Sequence, residues 1–202
     1  MKKIVKLLCV VLSLLTIACC SVACGEKEEY SYWQTQAKQA GESRMVYTAE
    51  LSLGSSNINL VECWINISNF KAQSTNITVR LSTSTTATPK TIQTSVTSQQ
   101  VKDSKDGWVK LDFGSEVSCK IAVVEIVDEM RVNEIVFVKA DGKLANITFT
   151  KGGVKAGSSA NLYTKAELEA LVEGNLAYSE HYAFNIIDEQ DKFPLSKIQI
   201  SK

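Results

Sequence analysis

From residue 46 to residue 150 the chain alternates apolar and polar positions with a period of two. Ile77, Val79 and Leu81 share one parity while Asn76, Thr78, Arg80 and Ser82 share the other, the pattern of a strand with one buried face. Val61, Cys63, Ile65 and Ile67 repeat it against Glu62, Trp64, Asn66 and Ser68, and Val109, Leu111 and Phe113 repeat it against Trp108, Lys110 and Asp112. Residues 121–127 and 132–138 are apolar on both parities, which predicts central strands covered on both faces. Further strands are expected near 46–53, 91–97 and 143–150. Turn chemistry such as Gly54-Ser55-Ser56-Asn57, Asp106-Gly107 and Asp141-Gly142 separates the runs. About eight short antiparallel strands at this spacing predict an all-β fold built as a sandwich.

Two segments need a separate reading. Residues 82–98 are rich in Ser and Thr, but Ile92 and Val96 supply apolar positions, so a loop over 83–90 followed by an edge strand is expected. Lys165 to Glu173 is the predicted helix. Thr164 with Glu167 forms a capping box, Leu168, Leu171 and Val172 share a face, and Gly174 supplies the stop.

The N-terminus follows a different plan. Lys2, Lys3 and Lys6 precede an uncharged apolar run, Leu7 to Ala18, as in a secretory signal. The run ends in Ala18-Cys19-Cys20-Ser21-Val22-Ala23-Cys24-Gly25 and turns abruptly to Glu26-Lys27-Glu28-Glu29. A cysteine preceded by small residues is similar to the bacterial lipobox, whose thiol takes a diacylglycerol. Cys24 fits best, with Cys19 and Cys20 as alternatives. The expected organisation is a lipoprotein signal peptide over 1–23, a tether over 24–44, the sandwich over 45–155, and a C-terminal helix and extension over 156–202 that packs on it. This places the protein outside the cytoplasm, lipid-anchored to a bacterial cell membrane.

Charge and composition narrow the function. Lys plus Arg and Asp plus Glu number 22 each. Setting the three leader lysines aside leaves 19 cationic side chains against 22 anionic ones, with no basic excess for nucleic acid. A lone histidine, His181, gives little material for a zinc site or a histidine-assisted nucleophile. An enzyme is therefore not expected.

The order of the strands, with Gly107-Trp108-Val109-Lys110-Leu111-Asp112-Phe113 ahead of Arg131-Val132-Asn133-Glu134-Ile135-Val136-Phe137, resembles the galactose-binding-like jelly roll of discoidin and carbohydrate-binding modules. The likeness spans about residues 46–150 and implies a jelly-roll sandwich that binds a glycan or another extracellular partner through loops at one end. A narrower likeness involves Val132-Asn133-Glu134-Ile135 through Gly142, then Ile187-Asp188-Glu189-Gln190 and Pro194. These are similar to an extracytoplasmic part of mannosyltransferase-like membrane proteins of Gram-positive bacteria. This likeness implies an accessory module that docks on a membrane protein partner. Their transferase activity is not carried over, since no apolar span follows.

Candidate residues each carry a plain alternative. Trp64, on the polar parity of its strand, and Trp33, beside Tyr30 and Tyr32 in the tether, are candidate ligand-binding aromatics. Burial against a neighbouring segment is the competing reading for both. Trp108 is expected to be structural. Asp103, Asp106, Asp112, Asp128 and Glu129 could supply oxygens to a structural calcium, but they form no ordered ladder and read better as solvated turn carboxylates. Arg131 and Glu134 read as a surface or edge pair. Cys63 and Cys119 could form a disulfide in an oxidising compartment, with a buried free thiol as the alternative. The sequons at Asn66, Asn76 and Asn146 are explained by polar outer-face positions.

Overall fold

A computed structural model describes residues 33–35, 45–127, 129–156, 159–170 and 193–198. Among these residues the strands are β1 (Trp33–Gln34), β2 (Met45–Ser52), β3 (Ile58–Ser68), β4 (Ser74–Ser82) and β5 (Lys90–Thr97), then β6 (Trp108–Cys119), β7 (Ile121–Ile126), β8 (Arg131–Lys139), β9 (Thr148–Ala156) and β10 (Ser159–Thr164). Two short helices, α1 (Ser98–Asp103) and α2 (Lys165–Ala170), and a 3-10 turn at Leu195–Lys197 accompany them. One sheet has the order β1-β8-β3-β6 and the other β10-β9-β2-β7-β4-β5, every pairing being antiparallel. From β2 to β9 the chain leaves one sheet for the other at almost every connection, with β4–β5 as the hairpin exception. This crossing makes a two-layer all-β sandwich, since the inner faces of both sheets share one apolar core.

The period-two pattern explains that core. Ile77, Val79 and Leu81 of β4 face Cys63 and Ile65 of β3, Leu111 of β6 and Phe137 of β8 across the interior, and all are fully buried. Each such side chain contributes roughly 1.5–3 kcal/mol. The strands that are apolar on both parities, β7 and β8, are internal to their sheets, and the Ser/Thr-rich β5 forms an edge.

Several expectations are corrected. The tether contributes to the fold, because β1 pairs with β8 and Thr35 and Met130 exchange backbone and hydroxyl hydrogen bonds at 3.0–3.3 Å. Trp33 is consequently a core residue, 1% exposed, and is withdrawn as a ligand-binding aromatic. The last strand expected at 143–150 instead runs over 148–156. Within it Gly152 permits a close approach to β2, since a Cβ there would lie 2.8 Å from the Thr48 carbonyl oxygen. Glu134 is fully buried rather than superficial.

Cys63 and Cys119 are buried free thiols. Cys119 pairs with Ile58, five residues along β3 from Cys63, a separation of about 16 Å. A disulfide needs Cα atoms within about 7 Å, so of the two readings the buried free thiols hold and the bridge is excluded. At the C-terminal side, the Thr164–Glu167 capping box is present, with reciprocal bonds of 2.7 and 3.3 Å, and Leu168 is fully buried. Leu171, Val172 and Gly174 lie outside the described residues, as do Cys19, Cys20, Cys24, Tyr30, Tyr32, Asp128 and His181.

Candidate functional site

The outer face of the four-stranded sheet is where polar and aromatic side chains converge. It is laid out along β3, whose outward residues are Glu62, Trp64, Asn66 and Ser68, flanked by Trp108, Lys110 and Asp112 of β6 and by Asn133, Val136 and Val138 of β8. Glu62 to Ser68 spans about 20 Å of strand.

A large bulge shapes one end of this face. Leu60 pairs with Val117 and Glu62 with Asp112, so Val61 alone stands opposite Phe113-Gly114-Ser115-Glu116. The extra residues need a reversal that L side chains rarely adopt, and Gly114 supplies it at φ +69°. Lys90 ties the bulge to β5 through the Phe113 carbonyl at 3.4 Å and Ser115 Oγ at 3.0 Å. The result is a groove of about 430 Å³ lined by Val61, Glu62, Lys110, Asp112, Gly114–Glu116, Val138, Ala140 and Ile198. On β3 the bulge also shifts Val61 outward, contrary to the inward position predicted for it, while Leu60 takes the buried one.

The charges in the groove are organised by Glu62. Its side chain is 8% exposed, and Oε2 pairs with Lys110 Nζ at 2.5 Å. Oε1 accepts from the Trp64 indole N–H at 2.9 Å. The hydrogen bond to Glu62 raises the Lys110 pKa against the opposing effect of burial. Asp112 accepts from the Gly114 backbone N–H at 2.8 Å, which with Lys110 holds its carboxyl below the usual range. Glu116 accepts from Asn59 at 3.1 Å. Three carboxylates against one ammonium leave the groove net acidic.

At the other end Asn133 donates to Asn66 Oδ1 at 2.8 Å and to Ser68 Oγ at 3.1 Å, while Asn66 donates to the Asp106 carbonyl at 2.8 Å. Trp64 lies between the two polar groups and Trp108 stands opposite Asn66 on β6, and residues 193–198 of the chain itself pack on both indoles. Phe193 meets Trp108 edge-on at 4.9 Å and Trp64 at 5.7 Å, and Ile198 and Leu144 complete the apolar cluster. Lys197 Nζ pairs with Asp106 at 2.9 Å and lies 5.6 Å from the centre of the Trp64 ring. At Asp106 burial pushes the carboxyl up, but the Lys197 and Trp108 N–H hydrogen bonds and the Lys197 charge outweigh it and hold the group low. Among the described residues no backbone hydrogen bond joins this strap to a strand. Burial of Phe193 with two aromatic contacts and one partly exposed ion pair contributes roughly 3–5 kcal/mol.

Trp64 therefore sits at the centre of the site, half-buried, with the Phe193 ring 5.7 Å from its own. Trp108 is buried, on the outer face of the sheet and against Phe193. The calcium candidates are dispersed: Asp106 and Asp112 pair with lysines, Glu129 pairs with Lys71 at 2.6 Å, and Asp103 accepts from Gln99 at 2.7 Å. Among the described residues no group of three or more His, Cys, Asp or Glu side chains could hold a metal ion. Sequence reasoning missed Glu62, Lys110, the Gly114 bulge and Phe193. A glycine followed by polar Ser115 and Glu116 within a strand pattern was the signal for the bulge; Phe193 carried none.

The other sheet's outer face is different in kind. Arg80 and Lys155 close on Glu125, and Lys151 closes on Glu50, leaving shallow depressions of about 280–290 Å³ without an aromatic side chain.

No protein-family model and no curated protein sequence matches the chain. Among solved structures, chitosan-binding module 1 derived from a chitosanase/glucanase of Paenibacillus sp. IK-5 is similar. The TM-score is 0.38 and the identity 15%, over 55% of this chain and 79% of that one.

Proposed function

We propose that this chain is a cell-envelope lipoprotein, anchored outside the cytoplasm through an acylated cysteine, with Cys24 as the preferred site. Its sandwich binds a glycan or cell-wall polymer without chemically altering it. The observation that carries the reading is the bulge-built groove beside Trp64. There an aromatic side chain, a buried carboxylate and exposed hydrogen-bonding groups lie on one strand-supported face. Polar groups with fixed directions orient a hydroxylated ligand, and the apolar flank takes its less polar face. The acidic balance repels anionic polymers and favours neutral or amino-bearing sugars.

The reading is tested by a glycan array probed with the full chain in detergent, with and without calcium, beside Asp112→Ala. Binding that Asp112→Ala weakens at least fivefold supports the groove. Absence of binding to every glycan in both conditions rejects it, and the alternative of an accessory subunit docking on a membrane protein takes its place.

A further inference from the structure

We propose that the face of Trp64 and Trp108 beneath Phe193 is a second sugar subsite, continuous with the groove, which residues 193–198 occupy until a pyranose ring displaces Phe193. This rests on the glycan reading and extends it to a part of the sheet that is closed in the present structure.

Four features point there. The Trp64 indole lies on β3 between hydrogen-bonding groups, Glu62 on one side and Asn66 with Asn133 on the other, and Trp108 stands beside it on β6, opposite Asn66. A ring seated on Trp64 would have donors and acceptors at both edges, as a sugar's ring hydroxyls require. The Phe193 ring approximates a pyranose in size and already meets both indoles. Among the described residues the strap is held to the sheet by side chains alone, with Lys197–Asp106 as its one ion pair. Finally, Ile198 belongs both to the apolar cluster and to the groove wall, so displacing Phe193 would also widen the groove.

A closed site that must open weakens apparent affinity by the fraction of open molecules. Loosening the strap therefore tightens binding. Titration calorimetry of the full chain in detergent tests this with hexamers of β-1,4-linked glucosamine and of N-acetylglucosamine as probes. Phe193→Ala, which vacates the platform, is expected to bind at least one probe more than tenfold tighter than the parent. Lys197→Ala, a partly exposed substitution that leaves the apolar cluster in place, is expected to gain about two- to fivefold, the shift for losing one exposed ion pair. Thermal unfolding verifies that each variant is folded, and Lys197→Ala decides if Phe193→Ala is not. Parent binding with affinity unchanged or weakened in the folded variants overturns the subsite and leaves the groove reading standing. No binding by parent or variants overturns both, whereas binding only in the variants supports the subsite.

Discussion

Replacing Lys110 with methionine would remove the ammonium partner of Glu62 and leave a nearly buried carboxylate with the Trp64 indole N–H at 2.9 Å. Breaking a fully buried pair costs about 3–5 kcal/mol, but 38% of the Lys110 side chain is exposed, so solvent screens much of the loss. We expect about 1–2 kcal/mol. At roughly 2–4 °C per kcal/mol for a domain of this size, the melting temperature should fall by about 2–8 °C. The double variant Glu62→Gln with Lys110→Met removes the uncompensated charge and should recover about half of that fall. Lys110 titrates above its ordinary value of 10.5. Its stabilisation is therefore fully present below that value and lost as the pH rises through the folded pKa. The parent should lose more stability above about pH 10.5 than Lys110→Met does. Differential scanning calorimetry reads all three. A Lys110→Met melting temperature equal to the parent's, or a double variant less stable than the single one, would refute the account of Glu62 as a buried charge held by Lys110.

Three further outcomes follow from the geometry. Burial pushes the Cys119 thiol up to about 11 and the Cys63 thiol higher still, so alkylation at pH 8 with peptide mapping should label neither in the folded chain and both in denaturant; a Cys63–Cys119 linked peptide would contradict the register. Gly107 has φ +78°, and a Cβ there would lie 2.6 Å from the Ile67 carbonyl oxygen. Gly107→Ala should cost at least about 1–2 kcal/mol in a urea titration, and an unchanged midpoint would show that the turn is not needed. Asp106 has a depressed pKa, so its pairing with Lys197 is in force above the ordinary carboxylate value near 3.8 and fades as the pH falls through the folded one. Tryptophan fluorescence should report this change below about pH 4 in the parent and not in Lys197→Ala.

The sandwich was legible because each half-buried strand writes its inward face into alternate residues, as β4 and β6 do. The two-sided apolar strands β7 and β8 likewise announced their central places. What local pattern does not encode is pairing. The bulge opposite Val61 exists only between β3 and β6, and it reverses the parity expected for that residue. Trp33 stood between ligand contact and burial because two residues of strand carry no periodicity; its burial depends on β8, about a hundred residues away. Trp64 was found from its polar parity, but its partners Glu62, Lys110 and Phe193 come from two strands and a distant segment, and no spacing in the chain joins them. Cys63 and Cys119 matched a disulfide by composition alone, and only the register separates them.

The most direct measurement of the central claim is co-sedimentation of the full chain with insoluble, purified cell-wall polysaccharide, comparing the parent with Asp112→Ala and Glu116→Ala, two exposed groove carboxylates. The account predicts that the parent sediments with the polymer and that both variants, folded by circular dichroism, remain largely in the supernatant. Sedimentation of both variants to the same extent as the parent, or of none of the three, would contradict a glycan site in the groove.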